Sequence, residues 1–313
     1  MQYILIFTTL FVLAQIYLIL AKKFNIIDRP NERSSHTKPT IRGGGIIFFF
    51  AVILFFFTSQ YQYPYFTFGV LLVALISFID DIITLGFKIR LAIHFIAITL
   101  LIQELGLFSH PIIIVALVLI ISAGILNIYN FMDGINGITG LCSLSSLLGF
   151  YILNIKLQLV NADLIIYLIL SILIFGFYNF RKKALFFAGD VGSITIAVAI
   201  IFLTIIFSFK QNSPVILLLI GVYLTDGLIT ITKRFLNKEN IFKPHKTHLY
   251  QRLVQKTKLS HIQVSMSYAI IQLLLIIPVY LLESLSIKFQ IVSVTIIFFM
   301  LTFIHINISK KIS

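Results

Sequence analysis

Long apolar runs separated by short polar stretches dominate this chain. Runs at 1–21, 44–59, 65–79, 91–104, 111–127, 138–154, 163–180, 191–209, 214–231, 263–282 and 289–308 approach the ~20 residues that a helix needs to cross hydrocarbon, although several are shorter. Backbone groups in lipid must satisfy one another, so such runs predict helices. The expected fold class is therefore an all-α polytopic membrane protein with about 11 transmembrane helices. Residues 1–313 read as a single integral-membrane domain, without a soluble module, a low-complexity tract or an internal repeat. The first run is preceded by Met1-Gln2-Tyr3 and followed by Lys22-Lys23. This is the reverse of a cleavable leader, and the span is expected to be retained.

Composition sharpens the picture. Of 313 residues, 59% are hydrophobic and 11% charged, against roughly a quarter charged in a soluble domain, which excludes a soluble enzyme. The net charge of +13 would suggest nucleic acid in a soluble protein, but here the charges fall in loops, and no nucleic-acid partner is expected. If the N-terminus lies outside, the inner segments are 22–43, 80–90, 128–137, 181–190, 232–262 and the tail 309–313, and they hold 21 of the 24 basic residues. That asymmetry predicts an N-out, C-in topology. Cys142 is the single cysteine, so an intrachain disulfide and a paired-thiolate zinc site are both excluded.

Eight of the eleven acidic residues lie on the same inner side: Asp28, Glu32, Asp80, Asp81, Asp133, Asp190, Asp226 and Glu239. Carboxylates near a membrane are costly and usually mark function, so chemistry is expected on cytoplasmic loops. Asp80-Asp81 closes the third run, where adjacent carboxylates oppose the helix dipole and point about 100° apart. A divalent-cation site with divided roles competes there with a merely solvated helix end. Asn127, Asn130, Asp133 and Asn136 recur every third residue and end against Gly134 and Gly137, a spacing that lets polar groups converge; a helix-terminating loop is the plainer reading. Asp190 sits between Gly189 and Gly192 just before an apolar run, as a helix N-cap, a third carboxylate for Mg²⁺, or both.

Two further loops are rich in cations. The first contains Lys38 and Arg42 before Gly43-Gly44-Gly45, whose amides could cradle phosphate, unless it is only a basic topological anchor. The last contains His245, His248 and Arg252. His248 and Arg252 are one helical turn apart and suit a phosphate contact, against the alternative of a basic face for anionic lipid. Asn179 lies eleven residues before Asp190 and is a weaker candidate.

Taken in order, these stretches resemble the polyprenyl-phosphate N-acetylhexosamine-1-phosphate transferases of glycosyltransferase family 4. That family includes phospho-N-acetylmuramoyl-pentapeptide translocase and the undecaprenyl-phosphate N-acetylglucosamine-1-phosphate transferases. The matching motifs are Asp80-Asp81, Asn130-x-x-Asp133-Gly134-x-Asn136-Gly137, Gly189-Asp190-x-Gly192-Ser193 and a late histidine motif. The resemblance implies an Mg²⁺-dependent enzyme, with Mn²⁺ as an alternative metal, in a bacterial inner membrane. Its substrates would be a UDP-N-acetylhexosamine and undecaprenyl phosphate, and a homodimer is compatible with it. It further implies that Asp80, Asp81 and Asp190 are catalytic, with Asp81 and Asp190 on the metal and Asp80 a disputed base. Asn130, Asp133, Asn136 and Phe187 would approach the nucleotide, and Lys38, Asn179, His245, His248 and Arg252 complete the substrate-binding candidates. Tyr250-Gln251 stands where relatives carry further histidines, a form that looks more like the branch that starts O-antigen in lipopolysaccharide synthesis. The rival class is a transporter with an ion or anion site on the cytoplasmic side, whose carboxylates would be expected near the bilayer midplane.

Overall fold

The computed structural model describes residues 1–30, 38–240 and 246–312. All eleven apolar runs are helical. They form α1 (Gln2–Lys23), α2 (Ile46–Thr58), α3 (Pro64–Ile82), α4 (Phe87–Glu104), α5 (Ile112–Met132), α6 (Ile138–Leu157), α7 (Ala162–Asn179), α8 (Gly189–Gln211), a 3-10 stretch Pro214–Ile220 running into α9 (Gly221–Leu236), α11 (His261–Leu274) with α12 (Ile276–Leu282), and α13 (Ile287–Lys311). A short α10 (Leu249–Lys256) lies between α9 and α11. Among the described residues nine helical segments are long and apolar enough to cross a membrane, while α2, at 13 residues, is shorter. Among the described residues the extended structure is a two-residue antiparallel pairing of β1 (Ile27–Asp28) with β2 (Thr40–Ile41) and an isolated bridge between Ile41 and Phe186.

Helix α8 is the shaft of the bundle. Its apolar window is 94% buried, whereas that of α13 is only 6% buried, so α13 presents its apolar surface outward, as a lipid-facing helix does. Around α8 pack α3, α5 and α2, with α6 and α7 beyond. The close approach of α2 to α8 is made by glycine: a Cβ on Gly45 would overlap the Gly192 backbone, and a Cβ on Gly192 would overlap Gly45. Small residues bring helices together in this way where no hydrophobic force separates helix from lipid.

Three acidic residues near the opposite end are absorbed by the fold. Glu104 accepts the Tyr65 and Phe66 amides at the start of α3 (2.6 and 3.0 Å), Asp163 meets Tyr3 and Gln2, and Glu283 pairs with Lys156 at 2.6 Å. The helix formed by 263–282 breaks between α11 and α12 because Pro278 has no N–H for the Leu274 carbonyl.

Candidate active site

The last turn of α3 and the first turn of α8 bring Asp80, Asp81 and Asp190 together. Asp81 is wholly buried and is held by main chain: Oδ1 accepts the Asp190 amide at 2.9 Å and Oδ2 the Val191 amide at 3.2 Å. These are orphan donors of a helix N-terminus, so Asp81 caps α8 from another helix. Asp80 caps the turn into α4, accepting the Leu85 amide at 2.6 Å.

Two arginines offset most of the cluster's charge. Arg42 bridges Asp81 and Asp190, with Nε 2.6 Å from Asp81 Oδ1 and Nη2 3.2 Å from Asp190 Oδ1. Arg90 bridges Asp80 and Asp190, with Nη1 3.0 and 3.6 Å from their Oδ2 atoms. Sequence reading assigned neither arginine a role here, although Arg90 occupies the first turn of α4, where a cation opposes the helix dipole and so calls for an explanation.

The glycine loop meets α8 through main chain. Gly44 and Gly45 amides donate to the Phe187 and Ala188 carbonyls (2.8 and 3.0 Å), and the Phe187 amide donates to Ile41 (2.8 Å). Gly189 has φ +72°, and a Cβ there would collide with the Asp81 carboxylate and the Gly43 backbone. Only glycine fits that junction.

Asn130 reaches the same place, its Oδ1 accepting the Ser193 hydroxyl at 2.9 Å. Asp133, just beyond α5, accepts the Thr139 hydroxyl at 2.7 Å. Burial pushes its carboxyl up to about 6; the Thr139 bond and Arg42 oppose the rise, and Asp190 adds to it. Phe187 is half-buried three residues before Asp190, and Lys38 is exposed ahead of β2.

Other candidates take different places. Asn179 donates to the Phe186 carbonyl (2.9 Å) and accepts the Gly137 amide (2.7 Å), while Asn136 donates to the Arg181 carbonyl (3.0 Å). Both are buried braces between loops, because backbone groups already engage their amides. His248 and Arg252 do not present one shared face. His248 is the buried N-cap of α10 with Nδ1 3.2 Å from Asp226 Oδ1, and Arg252 bonds the Ser309 hydroxyl and carbonyl at the end of α13. His245 lies outside the described residues. Tyr250 and Gln251 pack against Gly134, and the Tyr250 hydroxyl donates to the Phe131 carbonyl at 3.0 Å.

Asp226 was the least legible member. Its carboxylate accepts from Tyr268 (2.6 Å), from the Leu249 and Tyr250 amides (3.2 and 3.5 Å) and from Thr230 (3.2 Å), and the His305 imidazole stands 3.4 Å away. A carboxylate deep in an apolar run was the available signal.

Residues 63–208 match the sequence model of glycosyl transferase family 4. A probable undecaprenyl-phosphate N-acetylglucosaminyl 1-phosphate transferase of Bacillus subtilis is 26% identical over 325 residues, covering 95% of this chain and 88% of the relative. An undecaprenyl-phosphate alpha-N-acetylglucosaminyl 1-phosphate transferase of Thermotoga maritima is 27% identical over 284 residues, covering 82% and 84%. Over residues 63–208 the chain is similar to glycosyl transferase family 4, and over most of its length it is similar to both transferases. The matched stretch runs from α3 to α8, so it includes the aspartate pair, the Asn/Asp/Gly loop and the α8 turn, while Arg42, Asp226 and the histidine loop lie outside it.

Among the described residues no three His, Cys, Asp or Glu side chains form a ready-made metal cage. The Asp81–Asp190 pair nevertheless fits a hard divalent cation. It supplies oxygen donors only, it lies at the rim of the bundle, and it already holds positive charge between its carboxylates in the form of Arg42. Mg²⁺ is commonly held by one or two carboxylates, with water and substrate phosphate completing its shell.

Proposed function

We propose that this protein is a glycosyl transferase of family 4 that transfers N-acetylhexosamine-1-phosphate from a UDP-sugar to undecaprenyl phosphate, releasing UMP, at the inner face of a bacterial cytoplasmic membrane. The observation that carries the reading is the convergence of Asp80, Asp81 and Asp190 with two arginines at one rim of the bundle. The carboxylates sit at helix ends rather than mid-helix, which favours chemistry at the membrane surface over transport. A water-soluble donor and a lipid acceptor can meet only there. The names of both relatives, each an undecaprenyl-phosphate N-acetylglucosaminyl 1-phosphate transferase, support the same reaction type.

An oxygen of the lipid phosphate forms a bond to the phosphorus that carries the sugar, and the bond from that phosphorus to the UMP oxygen breaks. Asp81 and Asp190 would hold Mg²⁺, which when bound supplies electrostatic stabilisation of the phosphoryl charge. Arg42 and Arg90 add fixed positive charge beside it. A phosphate monoester has a second pKa of about 6 and is largely ionised at neutral pH, so Asp80 positions rather than deprotonates. Asn130 and Asp133 face the donor, and Tyr250-Gln251, packed on Gly134, borders the sugar.

The test is purified protein with undecaprenyl phosphate, Mg²⁺ and a panel of UDP-N-acetylhexosamines, including N-acetylglucosamine and 6-deoxy donors, with UMP and lipid product measured by mass. Formation of a diphosphate-linked sugar lipid with at least one donor is expected, and the preferred donor assigns the polysaccharide branch. Release of UMP without a sugar lipid, or neither product from any donor, overturns the proposal.

A further inference from the structure

Resting on the metal pair proposed above, we infer that Arg42 is a resident cation that a divalent ion displaces. Its guanidinium then turns to the phosphate of the incoming substrate. Arg42 joins one oxygen of Asp81 to one oxygen of Asp190, two carboxylates carried by different helices. Both oxygens of Asp81 also accept a main-chain amide, so the carboxylate cannot rotate to greet a cation from a new direction. An ion that uses Asp81 Oδ1 must approach from the side that the guanidinium now occupies.

Charge balance points the same way. Three carboxylates face two guanidinium groups, leaving the cluster one negative charge in excess. A divalent ion added beside both arginines would make it net positive. An ion that takes the seat of Arg42 instead leaves the remaining carboxylates and Arg90 neutral overall, and frees one cation just as phosphates arrive. Guanidinium suits that second task because its planar fork matches phosphate oxygens.

The local fold permits side-chain movement and little else. The Arg42 amide donates to the Ile26 carbonyl at 3.2 Å, its carbonyl accepts the Tyr17 hydroxyl, and Gly44 and Gly45 are tied to Phe187 and Ala188. The side chain, by contrast, is 32% exposed. A rotamer change therefore suffices, and Arg90 can keep Asp80 and Asp190 together throughout. Competition makes the coupling reciprocal: removing the arginine strengthens binding of the bare ion and weakens binding of the phosphate.

The experiment uses the detergent-purified full chain and Mn²⁺ alone, with free Mn²⁺ read by electron paramagnetic resonance and no substrate present. Arg42→Gln should bind Mn²⁺ about tenfold or more tightly than wild type, while KM for the sugar donor rises. Arg42→Lys is the second variant. Its compact ammonium cannot span both carboxylates, so Mn²⁺ should bind a few-fold more tightly in it too. Retained fold is read from the unreactive, buried Cys142. Equal or weaker Mn²⁺ binding in either folded variant overturns the inference while leaving the metal site intact. Absence of Mn²⁺ binding in wild type and variants alike overturns the metal site and this inference with it.

Discussion

Asp81→Asn and Asp190→Asn look equivalent as losses of a metal ligand, yet they should differ in stability. Each Asp81 oxygen accepts a backbone amide, from Asp190 and from Val191. An asparagine places an NH₂ where one of those oxygens stood, so one N–H at the α8 terminus faces a donor. Leaving a buried donor without a partner costs roughly 1–3 kcal/mol. The Asp190 carboxylate holds no main-chain amide among the described residues: it meets Arg42 and Arg90, both a third exposed, which can turn to water, and the Asp80 side chain; its removal costs about 0.3–1 kcal/mol through the helix dipole. A difference of about 1–2 kcal/mol should appear as several degrees in Tm. The chain has no tryptophan but one buried cysteine, Cys142, so a thiol-reactive dye during heating reports unfolding. Both variants should lack turnover, with Asp81→Asn melting measurably lower. Equal melting temperatures would refute the view that Asp81 holds the α8 terminus as well as the metal.

Asp133 gives a pH signature. Its folded pKa of about 6 exceeds the ordinary value near 3.9, so the fold favours the protonated form; its stability contribution is full below about pH 4 and is lost as pH rises through 6. Relative to Asp133→Asn, wild type should lose up to about 2 kcal/mol between pH 4 and 7, and a constant difference in Tm over that range would count against burial as the cause. Gly45→Val should push α2 off Gly192 and, by overpacking, cost about 1–3 kcal/mol; a wild-type melting curve would show that the two backbones do not meet. In a Cys142→Ser background, cysteine at Ser59 should react with an impermeant reagent from outside intact cells and cysteine at Lys246 only from inside. Outside labelling at Lys246 would invert the expected orientation.

Much of the fold was legible because the apolar runs are nearly continuous and lipid leaves the backbone few alternatives to helix. The ends were less so. Ile128 to Met132 read as the start of a loop but continues α5, and the three-residue spacing that drew attention to Asn127, Asn130 and Asp133 is itself helical, with Asn127 donating to the Ala123 carbonyl. The three carboxylates were recognisable from their glycines and their position at run ends. Arg42 was not, because its partners lie 39 and 148 residues away and nothing local ties a cation beside a glycine run to a distant aspartate. The bracing bonds of Asn136 and Asn179 were hidden for a related reason: an amide suited to a nucleotide is equally suited to backbone groups, and only the tertiary fold shows which backbone groups it meets.

That last ambiguity reveals how the rim is built. Asp81 holds the amides that open α8, Asn179 holds Gly137 and Phe186, and Asp226 holds Leu249 and Tyr250. In each case a polar side chain anchored on a helix grips the main chain of a loop or of a helix's first turn, in a segment that carries another candidate residue. Tyr250 then reaches the Phe131 carbonyl, linking the histidine loop to the end of α5 beside Asp133. Segments fixed through their backbones do not need their own side chains for anchoring, which explains why polar groups at this depth are so numerous. It also divides them physically: Asn179 and Asp226 should alter stability and turnover together, whereas Arg42, whose side chain bonds the aspartate cluster, and Asn130, whose side chain meets Ser193 one turn along α8 from Asp190, should alter affinity with the bundle intact.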